Sequence, residues 1–349
     1  MRAALLDPSG KVSVREMAPP DPDGRALVRV AQAGVCGTDL KIVSGEVPVS
    51  RPRVLGHEMT GWVEAPGPGA AVPAGTPVLV NPALFCGRCD LCRRDLPHLC
   101  RSGALLGRDV DGVFAELVAV DEACLHPLPD SLPAADAALL QVLSTCVHAQ
   151  SELRISPGDT AVVVGLGVSG LLHVQLLRDR GVQNIVAVTR SAWKRDLALS
   201  FGASATATPE HAEQVVADSS SGRGADIAIE CAGTQPTLAQ AMRLAGAGGV
   251  VVAFGTVVPE STAVPESTAV PNPAACGPLP TYDWYLKELT ILSPRAARPR
   301  DCDLAIQLCA EHRLDLAPLV TGRFPLAYAS RALTATRDPE QLKVVLDIG

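Results

Sequence analysis

At 349 residues, 47% of them hydrophobic, the chain is too long for one ordinary core and long enough for two sizeable domains. Its 30 basic and 37 acidic residues leave a net charge of -7 without a clustered Lys/Arg stripe, which argues against a nucleic-acid partner. Asp7 and Pro8 stand where a secretory signal needs an unbroken apolar stretch, and no later apolar run reaches membrane-spanning length, so a cytoplasmic protein without a membrane partner is expected.

In chain order, the first half is strand-like and interrupted by segments rich in Gly and Pro. Strands are predicted at 26–31, 61–64, 77–80 and 114–120, giving a β-rich domain with many loops. From about Ser156 strands and helices alternate. Residues 160–164 form a continuous apolar strand, 168–180 have helical spacing, 184–189 form a second strand and 192–201 a second helix. Further strands are expected at 226–231, 249–254 and 289–292, with a helix at 236–245. This is the α/β pattern of a doubly wound, mostly parallel sheet.

Before the last of these strands lies a tandem repeat, Val258 to Ala263 and again Val264 to Ala269, followed by Val270-Pro-Asn-Pro273. Two proline-bearing copies cannot build a solenoid, so the repeat reads as a locally duplicated, flexible surface loop, with a lid beside a cofactor site as the functional alternative. The closing stretch contains a helix at 302–311 and a strand at 343–347. Periodicity alone leaves open whether it completes the second domain or returns to the first.

The chain has eleven cysteines, four of them in the run Cys86, Cys89, Cys92 and Cys100, spaced Cys-x2-Cys-x2-Cys-x7-Cys. Such short loops let four thiolates converge on a tetrahedral Zn²⁺ and fill every position. An iron-sulfur cluster and uncoordinated thiols are the alternatives.

Gly165-Leu-Gly-Val-Ser-Gly170 follows a strand and opens a helix, the context in which glycines admit a pyrophosphate to a helix amino terminus. Gly165, Gly167 and Gly170 are therefore cofactor-site candidates. An NAD-binding loop usually carries an acidic residue about 20 positions on. Here the segment reads Thr189-Arg-Ser-Ala-Trp-Lys-Arg195. With no carboxylate to repel a 2′-phosphate, Arg190 can pair with it and Lys194 or Arg195 can assist, which favours NADP over NAD. A solvated basic helix start is the plainer reading.

The cysteine lobe, set between Gly56-His-Glu58 and the glycine loop, resembles the zinc-containing medium-chain dehydrogenases, which include alcohol, sorbitol and threonine dehydrogenases. The resemblance spans essentially the whole chain. It implies a GroES-like β-rich catalytic domain at residues 1–152 and 293–349, with a structural zinc lobe at about 85–101, and a Rossmann domain at 153–292. It also implies an active site in the cleft and a homodimer or homotetramer joined through Rossmann sheets.

On the same resemblance, Cys36 of Cys36-Gly-Thr-Asp39 and His57 bind a second, catalytic zinc, joined by Glu58 as in the polyol and threonine branches. Taken alone, His57 reads as an ordinary polar residue and Cys36 as a buried thiol. Gln141 stands where those branches carry a second carboxylate, so the site should lie nearer neutrality; Cys146 is a rival ligand. Thr38 matches the relay hydroxyl, and Lys41, where relatives often have histidine, reads either as the relay's end or as a solvated lysine. Gly255 belongs to a loop resembling the nicotinamide side of the family's cofactor site. Lys343 reads equally as a pyrophosphate contact or an exposed structural lysine.

The function so implied is hydride transfer between NADP(H), or NAD(H), and a secondary alcohol or ketone of a polyol, sugar, cyclitol or amino alcohol, with two zinc ions per chain. Residues 44–52, 106–114 and 143–146 are candidate pocket elements. A zinc-independent reductase of an activated double bond or iminium on the same fold, and a non-catalytic nucleotide-binding regulator, are the competing readings.

Overall fold

The apolar run at 26–31 extends, in the computed structural model, to the ten-residue strand Ala26–Val35. Its first four residues alternate between buried and more exposed, as on a sheet with one solvated face, and the remaining six are all buried. The structure describes residues 1–134, 137–255 and 279–349. These divide into one unit of Met1–Thr145 with Ala296–Gly349 and another of Cys146–Arg295.

In the first unit Ala26–Val35 is central. The sheet runs Leu125–Pro127, Pro77–Val80, Glu58–Ala65, Ala26–Val35, Lys343–Asp347, Val320–Pro325, with Leu117–Val120 pairing the start of Ala26–Val35. Val344–Asp347 pair antiparallel with Gln32–Val35, so the end of the chain returns to the sheet of its beginning. Val28, Val30, Ala33, Met59, Val78, Val344 and Phe114 form one buried core beneath this sheet. Arg2–Leu6 pairs with Val12–Glu16 and Arg53–Val54 in a smaller sheet, and the hairpin Ala83–Leu84 with Ala104–Leu105 brackets the cysteine run.

In the second unit six strands are all parallel, in the order Ala205–Ala207, Asn184–Val188, Thr160–Val164, Ala225–Glu230, Ala245–Ala253, Thr290–Leu292. Numbered along the unit this is 3-2-1-4-5-6, the doubly wound order that places a ligand crevice at the carboxyl end of Thr160–Val164. That strand is buried throughout, as a central strand covered on both faces must be. The strand Ala205–Ala207 and the helix Ala212–Ser219 were not expected from the sequence. The division between units falls inside the helix Leu140–Ser151, a few residues before 152. The Val258 to Ala269 repeat lies outside the described residues. Among the described residues no helix is long and apolar enough to cross a membrane.

Glu58–Ala65 and Ala26–Val35 approach closely at Gly61, where a Cβ would overlap the Arg29 carbonyl. Gly61→Ala is expected to destabilise this sheet by about 1–3 kcal/mol through overpacking, seen as a lower urea midpoint for the first unit's transition with cofactor binding by the second unit unchanged.

Candidate active site and metal centres

Cys36 follows the last residue of Ala26–Val35 and occupies the N-cap of the helix Gly37–Ser44. Its amide N–H donates to Asp39 Oδ2 at 2.8 Å, a capping arrangement that draws Asp39 back towards the strand end. The neighbouring strand begins at Glu58 and stands opposite Gly34, placing His57 and Glu58 beside Cys36. One ligand atom each from Cys36, His57 and Glu58 lies within 4.8 Å of the others. Thiol, imidazole and carboxylate form a donor set for zinc, and three donors leave a tetrahedral ion one open position.

Asp39, which the sequence reading passed over as a site residue, is fully buried and completes the cluster. Its Oδ1 accepts from the Gly56 amide at 3.2 Å and lies 3.7 Å from His57 Nδ1, which has no hydrogen-bond partner of its own. A carboxylate behind the ring turns the opposite nitrogen towards a metal, the usual support for a ligating histidine. The acidic third residue of the helix after Cys36 was its available signal.

Lys343 is neither exposed nor directed at solvent: it is 5% exposed, and its Nζ donates to both Glu58 oxygens at 2.9 and 2.7 Å and to the Val35 carbonyl at 3.2 Å. The cause is sheet order, because Lys343–Asp347 pairs with the strand that ends at Val35. The pyrophosphate contact considered from the sequence has therefore no free ammonium to make it here. Thr38 Oγ1 lies 3.7 Å from the Cys36 sulfur. Lys41 is half-buried in the last turn of Gly37–Ser44. Cys146 is directed to the Ser169 carbonyl at 3.8 Å and is not one of the three converging donors, while Gln141 is buried in the first turn of Leu140–Ser151. Of the candidate pocket elements, Leu106, Val110 and Asp111 line a cavity of ≈ 290 Å³ with Met1 and Met17, which none of the three donors borders.

The cluster's charges set its chemistry. A thiolate at Cys36 with Asp39 and Glu58 carries three negative charges against one on Lys343, so a divalent cation balances it. Without such an ion the protein compensates with protons. Burial disfavours a charged His57, but Asp39, Cys36 and Glu58 outweigh it and push the imidazole up to about 10. Burial likewise pushes the Asp39 carboxyl up, opposed by His57 and the Cys36 amide.

The second centre is local. Cys86, Cys89, Cys92 and Cys100 offer sulfurs within 4.8 Å of one another. Cys89 Sγ is 3.5 Å from Cys92 Sγ and 3.9 Å from Cys100 Sγ. A tetrahedral zinc at about 2.3 Å from each sulfur needs separations of about 3.8 Å. Backbone N–H groups of Cys86, Cys89 and Cys92 point at sulfurs at 3.3–3.5 Å, and those of Arg88 and Cys89 pull the Cys86 thiol down to about 6. Asp90 clamps Arg101 through two bonds of 2.6 and 2.8 Å, tying the turn Asp90–Arg93 to the end of the run. An ion bound by all four sulfurs would have no open position, so such a centre would hold a loop and could not activate a substrate.

In the second unit, Gly165 has φ +93° and packs against Ala232, while a Cβ on Gly170 would overlap the Gly165 carbonyl. Gly167 is the N-cap of Val168–Asp179, whose first amides point into the crevice. Arg190 is exposed just past Asn184–Val188, and Lys194 Nζ lies 5.1 Å from the Trp193 ring centroid. Arg195 Nη1 donates to the Thr189 and Arg190 carbonyls, both at 2.9 Å, so it braces the loop that presents Arg190. The Gly255 amide donates to the Glu230 carbonyl at 2.9 Å, at the carboxyl edge of the same sheet.

In metal-free protein the stabilisation from His57 is complete below its unfolded pKa of about 6.5 and is lost as pH rises towards about 10. The thermal midpoint of the metal-free protein should fall across that interval, and Asp39→Asn should flatten the fall by removing the strongest attraction on the imidazole. A midpoint that rises over the interval would contradict this electrostatic account.

Residues 22–130 match the alcohol dehydrogenase GroES-like domain and residues 167–311 the zinc-binding dehydrogenase domain. The chain is 31% identical to the 5-exo-hydroxycamphor dehydrogenase of Pseudomonas putida, over 99% of this chain and 98% of that one. It is 29% identical to the 2-dehydro-3-deoxy-L-galactonate 5-dehydrogenase of Pseudoalteromonas atlantica, over 93% and 92% of the two chains. Among solved structures it resembles a zinc-binding dehydrogenase from Sinorhizobium meliloti bound to NADP (TM-score 0.88, 31% identity, 99% and 98% covered). It also resembles the alcohol dehydrogenase of Thermus sp. ATN1 (TM-score 0.87, 30% identity, 100% of both chains covered). With both domains matched in order and relatives aligned along nearly its full length, the chain belongs to the zinc-containing medium-chain alcohol dehydrogenase family.

Proposed function

We propose that this zinc-dependent alcohol dehydrogenase oxidises a secondary hydroxyl, or reduces the matching ketone, on a small polar molecule such as a polyol, sugar, cyclitol or amino alcohol. We further propose that it prefers NADP(H) to NAD(H) and holds two zinc ions per chain. The observation that carries the reading is the convergence of half-buried Cys36 with buried His57 and Glu58. Relatives named as a galactonate 5-dehydrogenase and as D-xylulose reductases support a carbinol on a hydroxylated substrate.

Cys36, His57 and Glu58 would hold the catalytic zinc, and Cys86, Cys89, Cys92 and Cys100 the structural one. When bound, an open-sited zinc supplies Lewis acidity towards the substrate oxygen, and the nicotinamide supplies the hydride acceptor or donor. The protein's own residues do the rest. Asp39, with its Oδ1 3.7 Å from His57 Nδ1, favours electrostatically an orientation with that nitrogen turned away from the metal, and Thr38 Oγ1, next to the Cys36 sulfur, can accept the substrate's proton while donating its own onward. Gly165, Gly167 and Gly170 admit the pyrophosphate to the start of Val168–Asp179, and Gly255 lines the nicotinamide side. Thr189 and Arg195 shape the loop from which Arg190, aided by Lys194, meets the adenosine 2′-phosphate.

A homodimer or homotetramer is part of the proposal. Thr290–Leu292 ends the six-stranded sheet, and the preceding helix Thr281–Lys287 exposes Tyr282, Tyr285 and Leu286. A parallel strand unpaired on its outer side among the described residues, beside apolar side chains, suits pairing with a second copy.

Metal analysis tests the central claim: wild type should carry two zinc ions per chain and Cys36→Ser one, with turnover reduced about 10²–10³-fold. One zinc in wild type, or full turnover by Cys36→Ser, would instead favour a zinc-independent reductase or a regulator. Independently, Arg190→Ala should raise the KM for NADP relative to NAD about tenfold, the loss of one charge-assisted contact of about 1.5 kcal/mol; a wild type that prefers NAD would refute the cofactor assignment.

A further inference from the structure

Three strand ends of the second unit meet around one buried carboxylate. Ala225–Glu230 lies between Thr160–Val164 and Ala245–Ala253, with Glu230 opposite Val164 on one side and Ala253 on the other. The turn after Glu230 fills the space between their ends: a Cβ on Gly165 would overlap Ala232, and one on Gly255 would overlap the Gly233 nitrogen. The Glu230 carbonyl accepts from the Phe254 and Gly255 amides at 3.0 and 2.9 Å. Its Oε1 accepts from the amides of Ala232 and Gly233 at 2.7 and 2.8 Å and from the Thr237 hydroxyl at 2.7 Å.

The other carboxylate oxygen has no such company. Glu230 is fully buried, its Oε2 is without a hydrogen-bond partner, and a Cβ on Gly255 would come within 2.6 Å of it. Oε1 meets donors only and Oε2 has no acceptor to take a proton, the pattern of a carboxylate anion. Among the described residues no ammonium or guanidinium donates to either oxygen. A buried charge left so costs several kcal/mol. The turn does not require it, because a glutamine amide oxygen can accept the same three bonds.

We propose that Glu230 determines which oxidation state of the cofactor is preferred, its buried negative charge favouring the oxidised nicotinamide over the reduced one. The oxidised ring carries a positive charge and the reduced ring none. A fixed anion beside Gly255 therefore acts on the difference between the two forms, and burial keeps water from screening it. On the protein the equilibrium shifts towards oxidised cofactor and alcohol, which favours reduction of the ketone. The proposal rests on the reading of Gly255 as lining the nicotinamide side of the site.

Glu230→Gln keeps the shape and the accepting oxygen and removes the charge. Affinities of the full-length protein are measured for NADPH by its fluorescence and for NADP⁺ by displacement of NADPH, with 2′,5′-ADP as a probe that lacks the nicotinamide. Glu230→Gln is expected to lower the affinity for NADP⁺ relative to NADPH about tenfold, with 2′,5′-ADP bound as in wild type. Glu230→Asp keeps the charge and should hold the wild-type ratio even where both affinities fall. Should Glu230→Gln fail to fold, wild type decides through the benzamide isostere of NADP⁺, which has the same shape and a neutral ring. It is expected to bind about tenfold more weakly than NADP⁺.

An unchanged ratio in Glu230→Gln overturns the proposal, as does an equal shift in Glu230→Asp or a benzamide isostere bound as tightly as NADP⁺. Equal losses for NADP⁺, NADPH and 2′,5′-ADP also overturn it, and leave Glu230 the task of shaping the turn. Gly255→Ala tests the underlying reading by crowding that side of the site. If it binds both dinucleotides as wild type does, the nicotinamide lies elsewhere, and that reading falls together with the proposal.

Discussion

The constraint on which the first unit's chemistry depends is charge balance in a buried place. Asp39, Glu58 and Lys343 are withdrawn from water together with His57, and Cys36 borders them. An isolated charge so buried costs several kcal/mol, so each must be held against another. Three adjacent strands supply the arrangement. Ala26–Val35 ends at the cluster, while Glu58–Ala65 and Lys343–Asp347 both begin there on either side of it. A sheet with this order brings a carboxylate and an ammonium 285 positions apart to within 2.7 Å. Register is therefore part of the chemistry: a slip of one residue between Gly34 and Glu58 would turn the carboxylate to the opposite face.

The two candidate metal centres show why sequence reveals one more readily than the other. All four sulfurs of the lobe lie between Cys86 and Cys100, and their convergence follows from short loops closed by one hairpin with a two-residue strand on either side. Spacing alone carried that inference. The Cys36, His57 and Glu58 set is assembled across strands, and as separate residues they look like a buried thiol, a polar side chain and an acid. Only the family resemblance singled them out. Asp39 was visible within its motif but had no stated role until its carboxylate was seen behind His57. Lys343 was misread for a physical reason: a lysine in an apolar strand ordinarily marks an exposed position, and only its partner strand shows that Glu58 neutralises it.

The second unit was legible almost element by element. Thr160–Val164 and Asn184–Val188 are buried parallel strands, and burial on both faces writes itself as an uninterrupted apolar run. Ala205–Ala207 escaped because three residues at a sheet edge carry too little pattern, and Ala212–Ser219 because a short helix buries only two of its residues. The glycine loop was recognisable because Gly165 and Gly170 each answer a separate steric demand. The basic loop is subtler. Sequence shows three cations near one strand end, whereas the structure assigns Arg195 to bracing carbonyls and leaves Arg190 exposed. Charge count alone overstates what such a loop offers an anion.

Gln141 fits the same balance. A further carboxylate contributing to the Cys36 centre would exceed what one lysine and one divalent ion neutralise, and the amide at 141 adds no charge. The lysine, by neutralising Glu58, keeps the negative charge beside Cys36 and His57 low. A metal held by fewer negative ligands retains more of its own charge for a bound oxygen. An ion held by all four sulfurs of the lobe would have no such need: four thiolates would quench its charge, and nothing would be asked of it beyond holding the loop. The difference between the centres proposed here as structural and catalytic thus lies in how much anionic charge the fold gathers round each, set by loop spacing in one case and by strand register in the other.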